Sequence, residues 1–200
     1  MLKGVRGIKG ESRVGIVAVI EGAGFSKEAN DMDDMMLQDL ARQAGTALAQ
    51  QELMLATAES CTGGWLGQTI TSIAGSSAWY ERGFITYADI SKHEMLGVSS
   101  TTLEQYGAVS EQTASEMAAG AIARSHAQVG VSVTGIAGPD GGTAEKPVGM
   151  VCFAWIMKDG MALAETRYFS GTREEIRRQS VAGALQGVID LLHSIPPQVA

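Results

Sequence analysis

The chain has 200 residues, 45% of them hydrophobic, the size and apolar content of a single domain with one core. A formal net charge of -7 and a pI near 5.0 exclude the broad cationic surface that phosphate-backbone binding requires, so no nucleic-acid partner is expected. A small molecule or another protein is the expected partner, and one arginine group or one set of backbone N–H groups suffices to hold a phosphate on it.

Residues 1–32 place Lys3, Arg6, Lys9 and Arg13 ahead of the apolar run Val14 to Ile20. The run is too short to span a membrane and Glu21 follows it at once, so no membrane partner is expected. The segment reads as a flexible N-terminal extension, or as the result of a start codon placed too far upstream, rather than as a signal peptide. The folded domain is expected over residues 33–195, after the polar junction Asn30 to Asp34.

From Met35 the apolar residues Met36, Leu37, Leu40, Ala41, Ala44, Ala47 and Leu48 recur at helical steps and predict a helix to about Gln51. Met54 to Ala58 predicts a strand, Glu59 to Gly64 a tight turn, and Trp65, Leu66, Ile70 and Ile73 a following helix. A strand over Gly83 to Tyr87, a short helix over Asp89 to Leu96 and an amphipathic helix over Ser110 to Ser125 come next. Val129 to Val133 predicts a strand that enters a second glycine-rich loop, Thr134 to Gly142. Gly149 to Met157 and Ala162 to Phe169 flank Lys158-Asp159-Gly160, whose Asp-Gly step signals a hairpin. Thr172 to about His193 predicts the last helix, with Pro196 and Pro197 beyond its end. The pattern is that of an α/β fold, a mixed and mostly parallel sheet covered by helices on both faces.

In such sheets ligands collect where strands end and helices begin, and Ser60 stands at one of these junctions. Cys61, Thr62, Gly63 and Gly64 follow it, and their N–H groups are candidates to stabilise an oxyanion formed by attack on a carbonyl. The same pattern also suits a Ser60 or Thr62 that only caps the helix. A serine nucleophile needs a base within about 3 Å. His126 and His193 lie near predicted helix ends and need no further role, His93 is a candidate, and its neighbour Lys92 is a better one. Lys92 follows Tyr87 closely enough for both to reach the sheet edge that carries Ser60; as residue types alone they equally suit a surface lysine and a half-buried tyrosine. To act as base, Lys92 must lose its proton, which requires a desolvated or cation-rich pocket.

The second loop, Thr134-Gly135-Ile136-Ala137-Gly138-Pro139-Asp140-Gly141-Gly142-Thr143, has neither a GK[ST] ending nor a GxGxxG step, so it is no nucleoside triphosphate or dinucleotide motif. Its glycines suit a backbone wall against a ligand or a long connection of tight turns. Arg173, Arg177 and Arg178 open the last helix, to bind phosphate or to solvate its outer face. Cys61 and Cys152 fit no metal-ligand or CxxC spacing and read as reduced thiols.

Four segments in order, Ala58-Glu59-Ser60-Cys61-Thr62-Gly63-Gly64, Gly75 to Gly83, Gly107-Ala108-Val109-Ser110 and Thr134 to Gly142, resemble the nicotinamide-nucleotide amidase family, also known as the C-terminal domain of the competence/damage-inducible protein CinA. The resemblance covers about residues 35 to 193. It implies a three-layer α/β/α sandwich, a cytoplasmic homo-oligomer with a dimer favoured, and hydrolysis of the carboxamide of nicotinamide mononucleotide to nicotinate mononucleotide and ammonia. No metal or other cofactor is implied. Carried onto this chain, the nucleophile is Ser60, its base Lys92, and Tyr87 the residue that orients Lys92, with Thr134 as a second candidate for that support. Cys61 to Gly64 would receive the oxyanion; Gly135, Ile136, Ala137 and Gly138 would line the nucleotide site and Arg173 would reach its phosphate. Two rivals remain open at this level: Cys61 as nucleophile at a helix N-terminus, and a catalytically silent relative that only binds a nucleotide or a protein. The large N-terminal domain of full-length CinA has no counterpart in these 200 residues.

Overall fold

A computed structural model describes residues 27–158 and 160–194, with side chains from Asp33 onward. Most of the expected N-terminal extension, Asp159 of the hairpin turn, and Pro196 and Pro197 lie outside the described residues. One five-stranded sheet has the order β2-β1-β3-β4-β5, with β1 Leu55–Glu59, β2 Tyr80–Ile85, β3 Val129–Gly135, β4 Met150–Met157 and β5 Ala162–Tyr168. β1 pairs in parallel with β2 and β3, whereas β3–β4 and β4–β5 are antiparallel, so only β4 runs against the other four. The sheet is mixed and mostly parallel, as the pattern predicts.

Among the described residues six α-helices cover it: α1 Lys27–Gln50, α2 Trp65–Thr71, α3 Asp89–Leu96, α4 Ser100–Tyr106, α5 Glu111–Ala123 and α6 Arg173–His193. Leu37, Ala44 and Leu48 of α1, Leu66 and Ile70 of α2 and Leu185 and Val188 of α6 bury against one face of the sheet. Met117 and Ala121 of α5 and Leu96 of α3 meet Ala56 and Ala58 on the other. β1 is buried at all five positions because helices cover both its faces. Among the described residues, no helix is long and apolar enough to cross a membrane.

Two helix starts bear directly on the site. At α6, Thr172 accepts from Glu175 N at 3.3 Å and Glu175 Oε2 accepts from Thr172 N at 2.6 Å, a reciprocal cap that sets Arg173 in the first turn and Arg177 one turn later on the same side. At α5, Ser110 accepts from Thr113 N at 3.2 Å, which accounts for the serine closing the Gly-Ala-Val-Ser segment.

The first helix begins at Lys27, ahead of the expected start near Met35 and through the expected boundary at residue 33. β2 occupies Tyr80–Ile85 rather than Gly83 to Tyr87, so Tyr87 lies two residues past the strand. α4 was not expected from the sequence.

Candidate active site

The turn after β1 is organised by Glu59. Its buried carboxylate accepts from Thr62 Oγ1 at 2.7 Å, Gly64 N at 3.0 Å, Leu66 N at 3.1 Å and Gly67 N at 2.8 Å. An anion thus satisfies the free donors at the start of α2, where the helix dipole also favours it. Gly63 (φ 60) and Gly64 (φ 96) are left-handed, and this backbone lets the chain fold back from β1 into α2 within a few residues. Ser60 N donates to Val133 O at 2.9 Å, so the serine is held to β3 at the carboxyl edge of the sheet.

These bonds narrow the set of oxyanion donors. Gly64 N is taken by Glu59, and Gly63 N donates to Ser60 O at 3.1 Å. Among the described residues, the N–H groups of Cys61 and Thr62 have no partner on another residue. Arg177 fixes the second of them: its Nε donates at 3.1 Å to Cys61 O, the carbonyl of the peptide that carries the Thr62 N–H, and its Nη2 donates to Thr62 O at 2.7 Å. In a trans peptide the N–H points opposite to the C=O. With the Cys61 carbonyl turned to Arg177, the Thr62 N–H points away from that guanidinium.

Lys92, on α3 and so on the sheet face opposite α6, is 1% exposed. Its ammonium donates to Thr86 O at 3.1 Å, Tyr87 O at 3.3 Å and Asp89 Oδ1 at 3.4 Å. Burial lowers its pKa from the ordinary lysine value, while the Asp89 carboxylate pulls the other way. No hydrogen bond joins Lys92 to Ser60, itself 7% exposed. The neighbouring His93 is engaged elsewhere, with Nδ1 on Val98 O at 2.8 Å.

Tyr87 meets Lys92 through its backbone carbonyl, not through its ring. The residue is 63% exposed and its hydroxyl accepts from Arg173 Nη2 at 3.1 Å. Arg173 Nη1 donates to Gly138 O at 2.7 Å, so one guanidinium spans the loops that follow β2 and β3. Thr134 Oγ1 donates to Ala108 O at 2.7 Å, which directs it to the Gly107–Ser110 segment and away from Lys92. Thr134 and Gly135 belong to β3 rather than to the loop, and a side chain at Gly135 would press on Val151 of the neighbouring strand. Ile136 N donates to Met150 O at 2.9 Å and Ala137 is buried, so this part of the loop is held against β4.

Cys61 is buried beside Ser60, and burial pushes its thiol up to about 12, which outweighs Arg177 and Arg173 nearby. The thiolate expected at a helix N-terminus does not form near neutral pH, because desolvation dominates. Among the described residues, no three His, Cys, Asp or Glu side chains group as metal ligands.

A groove of about 530 Å³ runs between the glycine turn and the start of α6, lined by Gly63, Gly64, Trp65, Gln68, Arg173, Glu174 and Arg177. Its volume suits a small-molecule ligand. Ser60 and Lys92 do not line it; it adjoins Ser60 through Gly63 and Gly64. Arg178, grouped with Arg173 and Arg177 by sequence, is instead tied to Asp34 at 2.6 Å and Glu174 at 3.0 Å.

Residues 37–192 match the CinA C-terminal domain. The chain belongs to that family. A relative from Enterobacter agglomerans, named nicotinamide-nucleotide amidohydrolase PncC, is 54% identical over 155 residues, which cover 78% of this chain and 94% of that protein. The protein of the same name from Escherichia coli K12 is 52% identical over the same shares. Among solved structures, the competence/damage inducible protein CihA from Agrobacterium tumefaciens superposes with a TM-score of 0.76 at 50% identity, covering 78% of this chain and 95% of that one. In this CinA C-terminal domain, the glycine turn, Lys92 and the Arg173 bridge all fall within the matched residues. Glu59 and Thr86 join the site from the structure, and Arg177, grouped by sequence with the phosphate candidates, instead holds the turn together with Glu59, while the Thr86 carbonyl accepts from Lys92.

Proposed function

We propose that this chain hydrolyses the carboxamide of nicotinamide mononucleotide, releasing ammonia and nicotinate mononucleotide, in the recycling of pyridine nucleotides. The reading draws on relatives of that name at 54% and 52% identity, matched over 94% of their length. The observation that carries it in the site is a lysine 1% exposed that donates to the carbonyls of Thr86 and Tyr87, at the sheet edge where Ser60 follows β1.

In this reading neutral Lys92 removes the Ser60 proton, Ser60 Oγ attacks the carboxamide carbon, and the N–H groups of Cys61 and Thr62 receive the oxyanion. Protonated Lys92 then supplies the proton with which the nitrogen leaves as ammonia, and water releases the acid. Arg173 takes the phosphate, with the groove beside it and the Gly135 to Gly138 backbone holding the rest of the nucleotide. Residues 33–195 form the catalytic unit, which works without a cofactor as a cytoplasmic homo-oligomer, and the free thiols of Cys61 and Cys152 suit a reducing compartment.

The three acceptors around Lys92 favour its charged form, an observation that suits a nucleotide-binding relative without turnover. Purified protein given nicotinamide mononucleotide separates the two readings. The amidase releases ammonia and nicotinate mononucleotide in equal amounts; binding measured by calorimetry with no ammonia supports the silent relative.

A further inference from the structure

One polar atom at the site has no role in the account above. The hydroxyl of Thr86 is fully buried and lacks a hydrogen-bond partner. Leaving a buried hydroxyl unpaired costs about 1–3 kcal/mol, and a valine of the same shape would avoid that cost. A hydroxyl kept there without a partner points to a partner acquired in another state of the site.

The sheet register says what stands beside it. Ala58 of β1 and Phe84 of β2 are paired, and both belong to the apolar cluster that includes Leu96 of α3 and Met117 of α5. Side chains alternate along a strand, so Ser60 and Thr86, each two residues further on, lie side by side on that same face. The β1–β2 pairing extends to Thr86, whose N donates to Glu59 O at 2.8 Å, and the chain after β1 stays in the sheet because Ser60 N donates to Val133 O of β3 at 2.9 Å. Lateral neighbours in a sheet have Cβ atoms roughly 5 Å apart, a separation that two hydroxyls close by rotation about a Cα–Cβ bond. Thr86 is also bound to Lys92 through its carbonyl, at 3.1 Å from Nζ. It therefore stands between the two groups that make no hydrogen bond to each other.

We propose that Thr86 Oγ1 relays the proton from Ser60 to Lys92. This rests on the amidase reading of the site. As the Ser60 Oγ–carbon bond forms, the Ser60 proton passes to Thr86 Oγ1 and the Thr86 proton passes to the lone pair of neutral Lys92. Thr86 ends as a hydroxyl and Lys92 as an ammonium. When the carbon–nitrogen bond breaks, the path runs outward: Lys92 returns a proton to Thr86, Thr86 gives its own to the leaving nitrogen, and ammonia departs.

The test compares wild type, Thr86→Val, Thr86→Ser and Ser60→Ala in ammonia release from nicotinamide mononucleotide and in the rate of labelling by a fluorophosphonate, which reports serine nucleophilicity without the substrate. The relay predicts that Thr86→Val lowers kcat about 10²-fold or more with KM nearly unchanged, slows labelling in parallel, and melts no lower than wild type. Thr86→Ser restores both rates to within about tenfold, a rescue expected of a proton-transfer residue. Wild-type kcat and labelling in Thr86→Val overturn the relay. If wild type is labelled at Ser60 but releases no ammonia, the substrate reading fails and the labelling rates alone decide the relay by the same criteria. Wild type with neither signal overturns both. Thr86→Ala takes the place of the valine variant should that one fail to fold.

Discussion

The guanidinium of Arg173 and the hydroxyl of Tyr87 meet at 3.1 Å, and the same guanidinium holds the Gly138 carbonyl at 2.7 Å. The family resemblance implies Tyr87 as the group that orients Lys92, yet its hydroxyl is spent on this bridge and only its carbonyl reaches the lysine. Arg173 therefore joins the two loops that flank the site while itself staying exposed.

Arg173→Ala is expected to raise KM for nicotinamide mononucleotide by about 10- to 100-fold, the loss of a charge-assisted hydrogen bond, with a smaller change in kcat. Nicotinamide riboside, which lacks the phosphate, should be turned over equally by the variant and wild type. Steady-state kinetics on both substrates checks this; an equal loss on the two would assign Arg173 to loop structure alone.

Glu59 gathers four donors at the start of α2, and an amide in its place turns an NH₂ toward some of them. Glu59→Gln should destabilise the fold by roughly 2–4 kcal/mol and lower the melting temperature by roughly 5–15 °C, with activity falling as the turn loosens. Thermal denaturation followed by circular dichroism measures the first effect, and assay well below the melting point the second.

In the proposed mechanism Lys92 acts in its neutral form. Burial lowers its pKa, so the neutral fraction grows at a lower pH than for a lysine in water, and activity should rise with pH on a limb below the ordinary lysine range. Asp89 favours the ammonium. Asp89→Asn should therefore move this limb to lower pH and raise the neutral-pH rate, as read from kcat/KM profiles. Movement to higher pH would contradict the role given to Lys92.

Cys61, with its thiol pushed up to about 12, stays protonated at neutral pH. It should resist iodoacetamide at pH 8 in the folded protein, and Cys61→Ala should keep activity within about threefold, at a stability cost of about 1 kcal/mol for the small buried volume lost. Mass spectrometry and the ammonia assay check the two; loss of turnover in Cys61→Ala would revive the thiol as nucleophile.

How far the site is legible in the chain depends on what each residue type discloses. Paired glycines after a short apolar run, followed by helical spacing from Trp65, mark the Ser60 turn, and α3 spans Asp89–Leu96 as the pattern predicts. α4 was hidden because Ser100–Tyr106 buries only Thr102 and so shows no apolar stripe. β2 is an edge strand whose residues are half-buried or exposed, so alternation placed it too late and Tyr87 inside it. A lysine carries no sign of its own burial: Lys92 becomes a site residue only because α3 folds back over the end of β2. Glu59 and Arg177 bind backbone atoms of the turn, and such partners have no sequence signature.

The central claim is that Ser60 and Lys92 act as one catalytic unit on the amide. Single-turnover rates for Ser60→Ala, Lys92→Met and the double variant with nicotinamide mononucleotide test it most directly. Each single change should lower the rate by at least about 10³-fold, and the double variant should be no slower than the slower single one. Near-normal turnover in either single variant, or losses that multiply in the double, would contradict it.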